Sequence, residues 1–492
     1  MRTSSSLLSS PSFTRALARR VCMIVGACCL VVGCCAFGQE YKEAPVDDSL
    51  AGQKDAVLAG GDAKEVKDFL RKYYLARWTV RANAQNLVKY RQELETDATA
   101  RSGAPQQTFL KEAVDALKSY AGSKDCYPAC RFNAALAIGS LNEAAGDRSG
   151  AGATPYAGAI TTLAQMVNST KEVPDYVRLA ALIGLVRHAE LGIKDEKMAG
   201  NVKSLFAKIL DPKYAEERGI RPEIYDWFQE KALMGLASYK SPEGTKGGAG
   251  TLELFKRIVD DQDANYDLRC LAARAIGDMN LESLNSYNYL DLSKSLILLA
   301  RDFCVDEMNY IDAELVRDVV KTAANQVGGG MGGMGGSGGM GGGMGGMDMM
   351  GGGLGGMSGG MGGGMGGGMS GTIQNAKSME AVVARIQYGF DCIQRAIKGV
   401  KNGGTGVQAK LSDSDEAQAA MKETLGKALA EFDEMNTFIK EGPSTSGGMG
   451  MMDMSMGMGS SSANVNVDAN SLKDHLLEKK IKFNELLGID SY

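Results

Sequence analysis

Four apolar segments between Cys126 and Met279 repeat one internal order of residues. They are Cys130-Arg131-Phe132-Asn133-Ala134-Ala135-Leu136-Ala137-Ile138-Gly139, Val177-Arg178-Leu179-Ala180-Ala181-Leu182-Ile183-Gly184-Leu185, Phe228-Gln229-Glu230-Lys231-Ala232-Leu233-Met234-Gly235-Leu236-Ala237 and Leu268-Arg269-Cys270-Leu271-Ala272-Ala273-Arg274-Ala275-Ile276-Gly277. Arg131, Arg178, Gln229 and Arg269 are equivalent, 47, 51 and 40 residues apart. Ala134, Ala181, Ala232 and Ala272 hold one offset, where a small side chain lets helices approach closely. Ile138, Leu185, Leu236 and Ile276 follow four residues later, on the same helical face.

Helical spacing continues outside these segments. Val66, Leu70, Tyr73, Val80, Ala84 and Leu87 predict one helix from Ala63 to about Ala100, and Ser102-Gly103-Ala104-Pro105 ends it. A second helix is expected from Gln106 to Tyr120. Ile160 to Val167, Met198 to Leu210, Leu252 to Val259 and Leu290 to Phe303 each suit the first helix of a pair. Glu314 to Gln326 suits the last helix of the domain. Thr372 to Lys401 and Ser412 to Lys440 read as an antiparallel hairpin, the second helix capped by Ser412 or Ser414. Ser471 to Leu487 is an amphipathic end helix. The pattern predicts an all-α chain.

A period of about 40–47 residues built from helix pairs marks a HEAT/armadillo-like solenoid. The first, second and fourth segments resemble the second helix of a HEAT repeat, with an apolar-Arg start, alanines and a late small residue. The resemblance implies a HEAT/armadillo-like α-α superhelix over residues 126–279, with an extended protein-binding surface. Gln229 departs from it, and the insert around Gly244 to Gly250 lengthens that turn.

Composition changes the picture downstream. Residues 328–371 hold 28 Gly and 11 Met, and 447–459 hold six more Met. Neither stretch can bury a core, and glycine maximises the entropy lost on ordering. Both are expected to be disordered linkers. The tracts resemble the Gly-Gly-Met tails of chaperonins. They also resemble Met-rich copper-handling segments, since thioethers suit Cu(I). The expected organisation is 1–38 export signal, 39–60 flexible lead-in, 61–326 repeat domain, 328–371 linker, 372–441 hairpin, 442–470 linker and 471–488 end helix.

Residues 1–38 carry Arg2, Arg15, Arg19 and Arg20 and no acid, and Val21 to Gln39 is uncharged and apolar. This is a secretory pattern. Ala36-Phe37-Gly38 fits cleavage before Gln39. Val31-Val32-Gly33-Cys34 resembles a lipobox, with Cys34 as the lipidated residue, and an uncleaved anchor is a third reading. All three export the rest of the chain to the periplasm or cell envelope. Membrane contact is expected only through this segment. Removing the four arginines takes the formal charge from −5 to −9, which argues against a nucleic-acid partner.

Candidate chemistry is sparse. Two histidines in 492 residues leave little room for His-built metal or nucleophile sites. His188 and His475 read as capping or surface residues. Cys126-Tyr127-Pro128-Ala129-Cys130 suggests a local disulfide, a redox pair or a soft-metal clamp, with Cys130 in the first turn of a helix. Cys270 reads as a small core residue that Cys304 can pair with. Asp261 to Asp267 imitates a calcium loop, but Tyr266 and Ala272 stand where Gly and Glu are required. Lys246 to Thr251 lacks the order of a phosphate loop. The basic stretch from Lys64 to Arg91, with Tyr73, Tyr74, Trp78 and Tyr90, suits a solvated face or an anionic partner. No catalytic residue and no resident cofactor is expected. The sequence therefore predicts a non-enzymatic, protein-binding scaffold. The alternative is Cu(I) binding by Met347, Met349, Met350, Met449, Met451, Met452 and Met454, with Cys126 and Cys130.

Overall fold

A computed structural model of the chain describes residues 41–100, 102–146, 152–169, 173–244, 250–328, 370–400, 404–441 and 467–489. These are almost entirely helical, so the fold is all-α. The export signal with Cys34 and nearly all of both Gly/Met tracts lie outside the described residues. Among the described residues no helix is long and apolar enough to cross a membrane.

Residues 41–60, expected as a flexible lead-in, carry a 3-10 turn at Asp48–Gln53 and helix α1, Lys54–Gly60, with Leu58 buried. Helix α2, Ala63–Phe69, opens on a capping box in which Asp62 accepts from Lys64 N and Glu65 N, both at 2.8 Å. The single helix expected to Ala100 does not form. A π turn at Leu70–Tyr74, 3-10 turns at Ala76–Trp78 and Arg81–Asn86, and an extended Val80 precede α3, Leu87–Thr99. Burial causes the break. Trp78 is fully buried, and its carbonyl accepts from the Tyr127 hydroxyl at 3.0 Å. Thr79 Oγ1 donates to Ala76 O and accepts from Ala44 N, both at 2.8 Å. Lys64, Lys67, Lys72, Arg81 and Lys89 of the expected basic stretch are exposed, on successive short turns instead of one helix. The Arg77 guanidinium lies 5.1, 5.0 and 4.6 Å from the rings of Tyr73, Tyr74 and Tyr90.

The next helices alternate between partners and repeat-motif helices. They are α4, Ala104–Gly122; α5, Pro128–Ser140; α6, Ala157–Val167; α7, Asp175–Leu191; α8, Glu196–Ile209; α9, Lys213–Arg218; α10, Pro222–Ala237; α11, Gly250–Asp260; and α12, Tyr266–Asp278. The motif helices pack in succession, α5 on α7, α7 on α10 and α10 on α12. Each also has its own partner, α4, α6, α8 or α11. The motif alanines Ala134, Ala181, Ala232 and Ala272 are all fully buried. Gly139 of α5 meets Gly184 of α7 backbone to backbone, and a Cβ on either would collide with the other's Cα. A short antiparallel ribbon, β1 at Asn142–Ala144 and β2 at Thr154–Pro155, joins α5 to α6.

Leu290 to Phe303 and Glu314 to Gln326, expected as separate helices, are one helix, α13, Tyr289–Gly328. No glycine or proline interrupts the chain between them. Helix α14, Ser370–Lys398, and α15, Glu416–Glu441, form over the two segments expected to be helical. At the start of α15, Asp415 accepts from Gln418 N at 2.9 Å. Ser412 and Ser414 instead bond each other in the preceding turn. Helix α16, Ala469–Leu487, is capped by Asp468 and stopped by Gly488 in the left-handed region at φ 65°.

The chain forms two compact units, Met1–Ala300 with Gly389–Leu429, and Arg301–Tyr388 with Ala430–Tyr492. In the first unit Gly277 has no Cβ, which leaves room for the Arg395 carbonyl of α14. Thr405 N donates to Met279 O at 2.9 Å, and Arg395 pairs with Asp278 at 2.5 Å. The core of the second unit includes Phe303, Ile311, Val382, Ile386, Met435, Leu472 and Leu476. Its Phe432 and Phe483 rings lie 5.4 Å apart, and a buried Lys479 ammonium sits 2.8 Å from Glu431 and 2.7 Å from Glu434.

Candidate functional site

The repeated arginines turn inward. Arg131, Arg178 and Arg269 are buried, and each Nε donates to a carbonyl at the end of its partner helix. The acceptors are Ala121 O at 3.0 Å, Val167 O at 3.3 Å and Val259 O at 2.8 Å. A cation placed there satisfies carbonyls that the helix leaves open and complements the negative end of its dipole. Gln229 does not substitute. Tyr225, one turn earlier, puts its hydroxyl 2.6 Å from Ile209 O and 2.7 Å from Asp211 O.

With arginine, alanine and the late apolar residue inside, the opposite stripe of each motif helix stays partly open. Leu136, Ile183, Met234 and Arg274 share one offset and are half-buried. Phe132 and Leu179 lie a turn before, and Tyr176, in the first turn of α7, and Trp227, in the second turn of α10, hold a shared offset. Trp227 is 51% exposed, unusual for the largest side chain. Helix α3 packs against α5, so the more open part of the stripe is on α7 and α10. At its far end Arg187 donates to Gly139 O at 3.1 Å and pairs with Glu95 at 3.2 Å. The stripe offers adjacent apolar anchors with charged neighbours, which suits contact with a protein surface.

The other candidate residues scatter. His188 is buried, contrary to the expected surface position, because the end of α7 is covered on all sides of the ring. His475 also departs from expectation, stacking 4.1 Å from the Phe438 ring. Asp261 to Asp267 is a turn between α11 and α12, with Asp263 N bonded to Asp261 and Asp267 N to the Asn265 cap. Thr251 is buried in the first turn of α11 and donates to Glu243 O at 2.7 Å, while Lys246 lies outside the described residues. Cys126, Cys130, Cys270, Cys304 and Cys392 are buried and unbridged. Cys270 and Cys304 fall in different units.

Among the described residues no group of three or more His, Cys, Asp or Glu side chains is arranged to hold a metal ion. Cys126 and Cys130 therefore have no third such ligand there. The methionines of the copper alternative lie outside the described residues. Sequence reasoning missed Tyr225 as the stand-in for arginine and Trp227 as the exposed anchor. The signal for the second was present, since Trp227 and Tyr176 precede Gln229 and Arg178 by the same two residues. No family model matches the chain, and neither a curated protein nor a solved structure matches it.

Proposed function

We propose that the chain is an exported, non-enzymatic scaffold of the bacterial cell envelope that binds a protein partner through a HEAT-like repeat surface. The observation that carries this reading is the half-open stripe along stacked motif helices, headed by the exposed Trp227. The three inward arginines support the repeat kinship, because each performs one task at one place in its helix pair. Repeats stacked in this way present a broad surface, which suits recognition of a protein. The secretory pattern of residues 1–38 supports the compartment.

Full-length protein as bait in envelope extract tests the reading. A partner should be retained by the parent and lost with Trp227→Ala, with the thermal midpoint unchanged. Retention of the same partner by Trp227→Ala and by Ile183→Glu would place binding elsewhere on the chain. Detection of Met1 in the mature envelope protein would leave only the anchored form of export.

A further inference from the structure

The motif helices place arginines over aromatic rings in a repeated arrangement. The Arg131 guanidinium lies 5.9 Å from the Tyr176 ring of α7, Arg178 lies 5.8 Å from the Phe228 ring of α10, and Arg269 lies 4.9 Å from the Tyr266 ring of α12. Each ring offers the negative face of its quadrupole to a cation. Trp227 breaks the series. It holds the offset of Tyr176, and indole is the best cation acceptor among the aromatic side chains. Arg178 instead reaches Phe228, one residue on. Among the described residues neither a cation nor a second ring lies against the Trp227 indole.

Carboxylates flank this ring. Glu223 and Glu230 lie four residues before Trp227 and three after it, so the three side chains share one face of α10. Both are exposed. Lys231 meets Glu230 at 2.9 Å, whereas Glu223 makes no ion pair among the described residues. Asp267, also exposed, holds the Trp227 offset on α12, which packs on α10. From Asp211 to Glu230 the chain carries six acids and three bases. Two of those bases are engaged inside the fold. Arg218 Nη1 donates to Asn168 O at 2.9 Å, and Arg221 Nε lies 3.5 Å from Asp175. A face of this sign draws in basic segments and repels acidic ones.

We propose that the Trp227 face takes a basic partner, an amphipathic protein segment that lays apolar side chains on Ile183 and Met234 and a lysine or arginine on the indole, beside Glu223 and Glu230. This inference rests on the reading of the motif-helix stripe as the partner surface. The aliphatic part of the stripe supplies contact area, and the indole with its carboxylates selects the charge of what is bound.

The chain carries two tryptophans, Trp78 at 0% exposure and Trp227 at 51%. Acrylamide quenching of the full-length protein therefore reads Trp227. The probe is a synthetic amphipathic peptide with one leucine face and one lysine face, and its control carries glutamate in place of every lysine. The lysine peptide should shield Trp227 from acrylamide, and the glutamate peptide should not. The double variant Glu223→Gln with Glu230→Gln should weaken binding of the lysine peptide about fivefold, the scale of two exposed ion pairs. Raising the salt to about 0.5 M should weaken it as well. Equal shielding by both peptides, shielding by neither, or full affinity in the glutamine variant overturns the proposal. The outcome is separable from that of partner capture. If Trp227→Ala loses the envelope partner while the glutamine variant keeps it, the scaffold reading stands and the basic partner falls.

Discussion

Arg178 Nε donates to the carbonyl of Val167, the last residue of α6, from a side chain only 1% exposed. Its Nη1 also reaches Arg218 O at 3.1 Å and Asp175 at 3.3 Å. Arg178→Ala would leave two carbonyls without this donor and Asp175 without a buried counter-ion. We expect a loss of about 3 kcal/mol in urea unfolding. Tyr225→Phe removes the hydroxyl that serves the same end of α8 and should cost about 1–2 kcal/mol. If both variants unfold within about 0.5 kcal/mol of the parent, these contacts do not hold the pairs together.

Gly139 and Gly184 allow α5 and α7 to touch through their backbones. Gly139→Ala should push the helices apart and destabilise by about 1–3 kcal/mol. Gly200 of α8 has open space where a Cβ would stand. Gly200→Ala should therefore stabilise by about 0.5–1 kcal/mol through helix propensity alone. Equal midpoints for both alanine variants would count against the close approach.

Burial, and then the charge on Arg187, lowers the His188 imidazole from 6.5 to about 3. The folded chain thus keeps His188 neutral where the unfolded chain protonates it. Between pH 6.5 and 3 the unfolded state binds more protons, so stability falls as pH falls through that window. The total effect is of order 5 kcal/mol. Denaturant unfolding between pH 6.5 and 4.5 isolates it from most carboxylates. His188→Leu should flatten the slope there, and an unchanged slope would mean the ring is not charged on unfolding.

Much of this architecture could be read from the chain because helix packing repeats locally. The alanines and late aliphatic residues of the motif marked four helices, and those helices pack in the order the motif runs. Three readings failed for long-range reasons. Trp78 breaks the helix at Val80 because Tyr127, 49 residues away, bonds its carbonyl. Tyr225 replaces the missing arginine from a different turn of the helix, which no fixed offset reveals. Gly277 resembled the other late glycines, and nothing local indicated that Arg395 would pack on it.

The Gly/Met tracts separate the scaffold reading from copper binding. Replacing every Met in 328–371 and 447–459 with Ser should leave folding and partner capture intact. Competition with a Cu(I) chelator should show no stoichiometric binding by the parent. Stoichiometric binding that the Ser variant loses would favour the copper reading, because thioether sulfur is the soft ligand in those tracts.

The contact between Gly277 and Arg395 sets a schedule for biosynthesis. The repeat helices leave the ribosome first, but their unit also needs Gly389–Leu429. At about 5–20 residues per second, the chain from Gly277 to Leu429 takes roughly 8–30 s to appear. During that interval the end of α12 has its glycine and no helix to receive. A nascent chain halted before residue 389 carries an open apolar edge, and a fragment ending at 326 keeps it permanently. Such a fragment should self-associate where the whole chain does not, so the last third of the sequence acts as the stopper of the first.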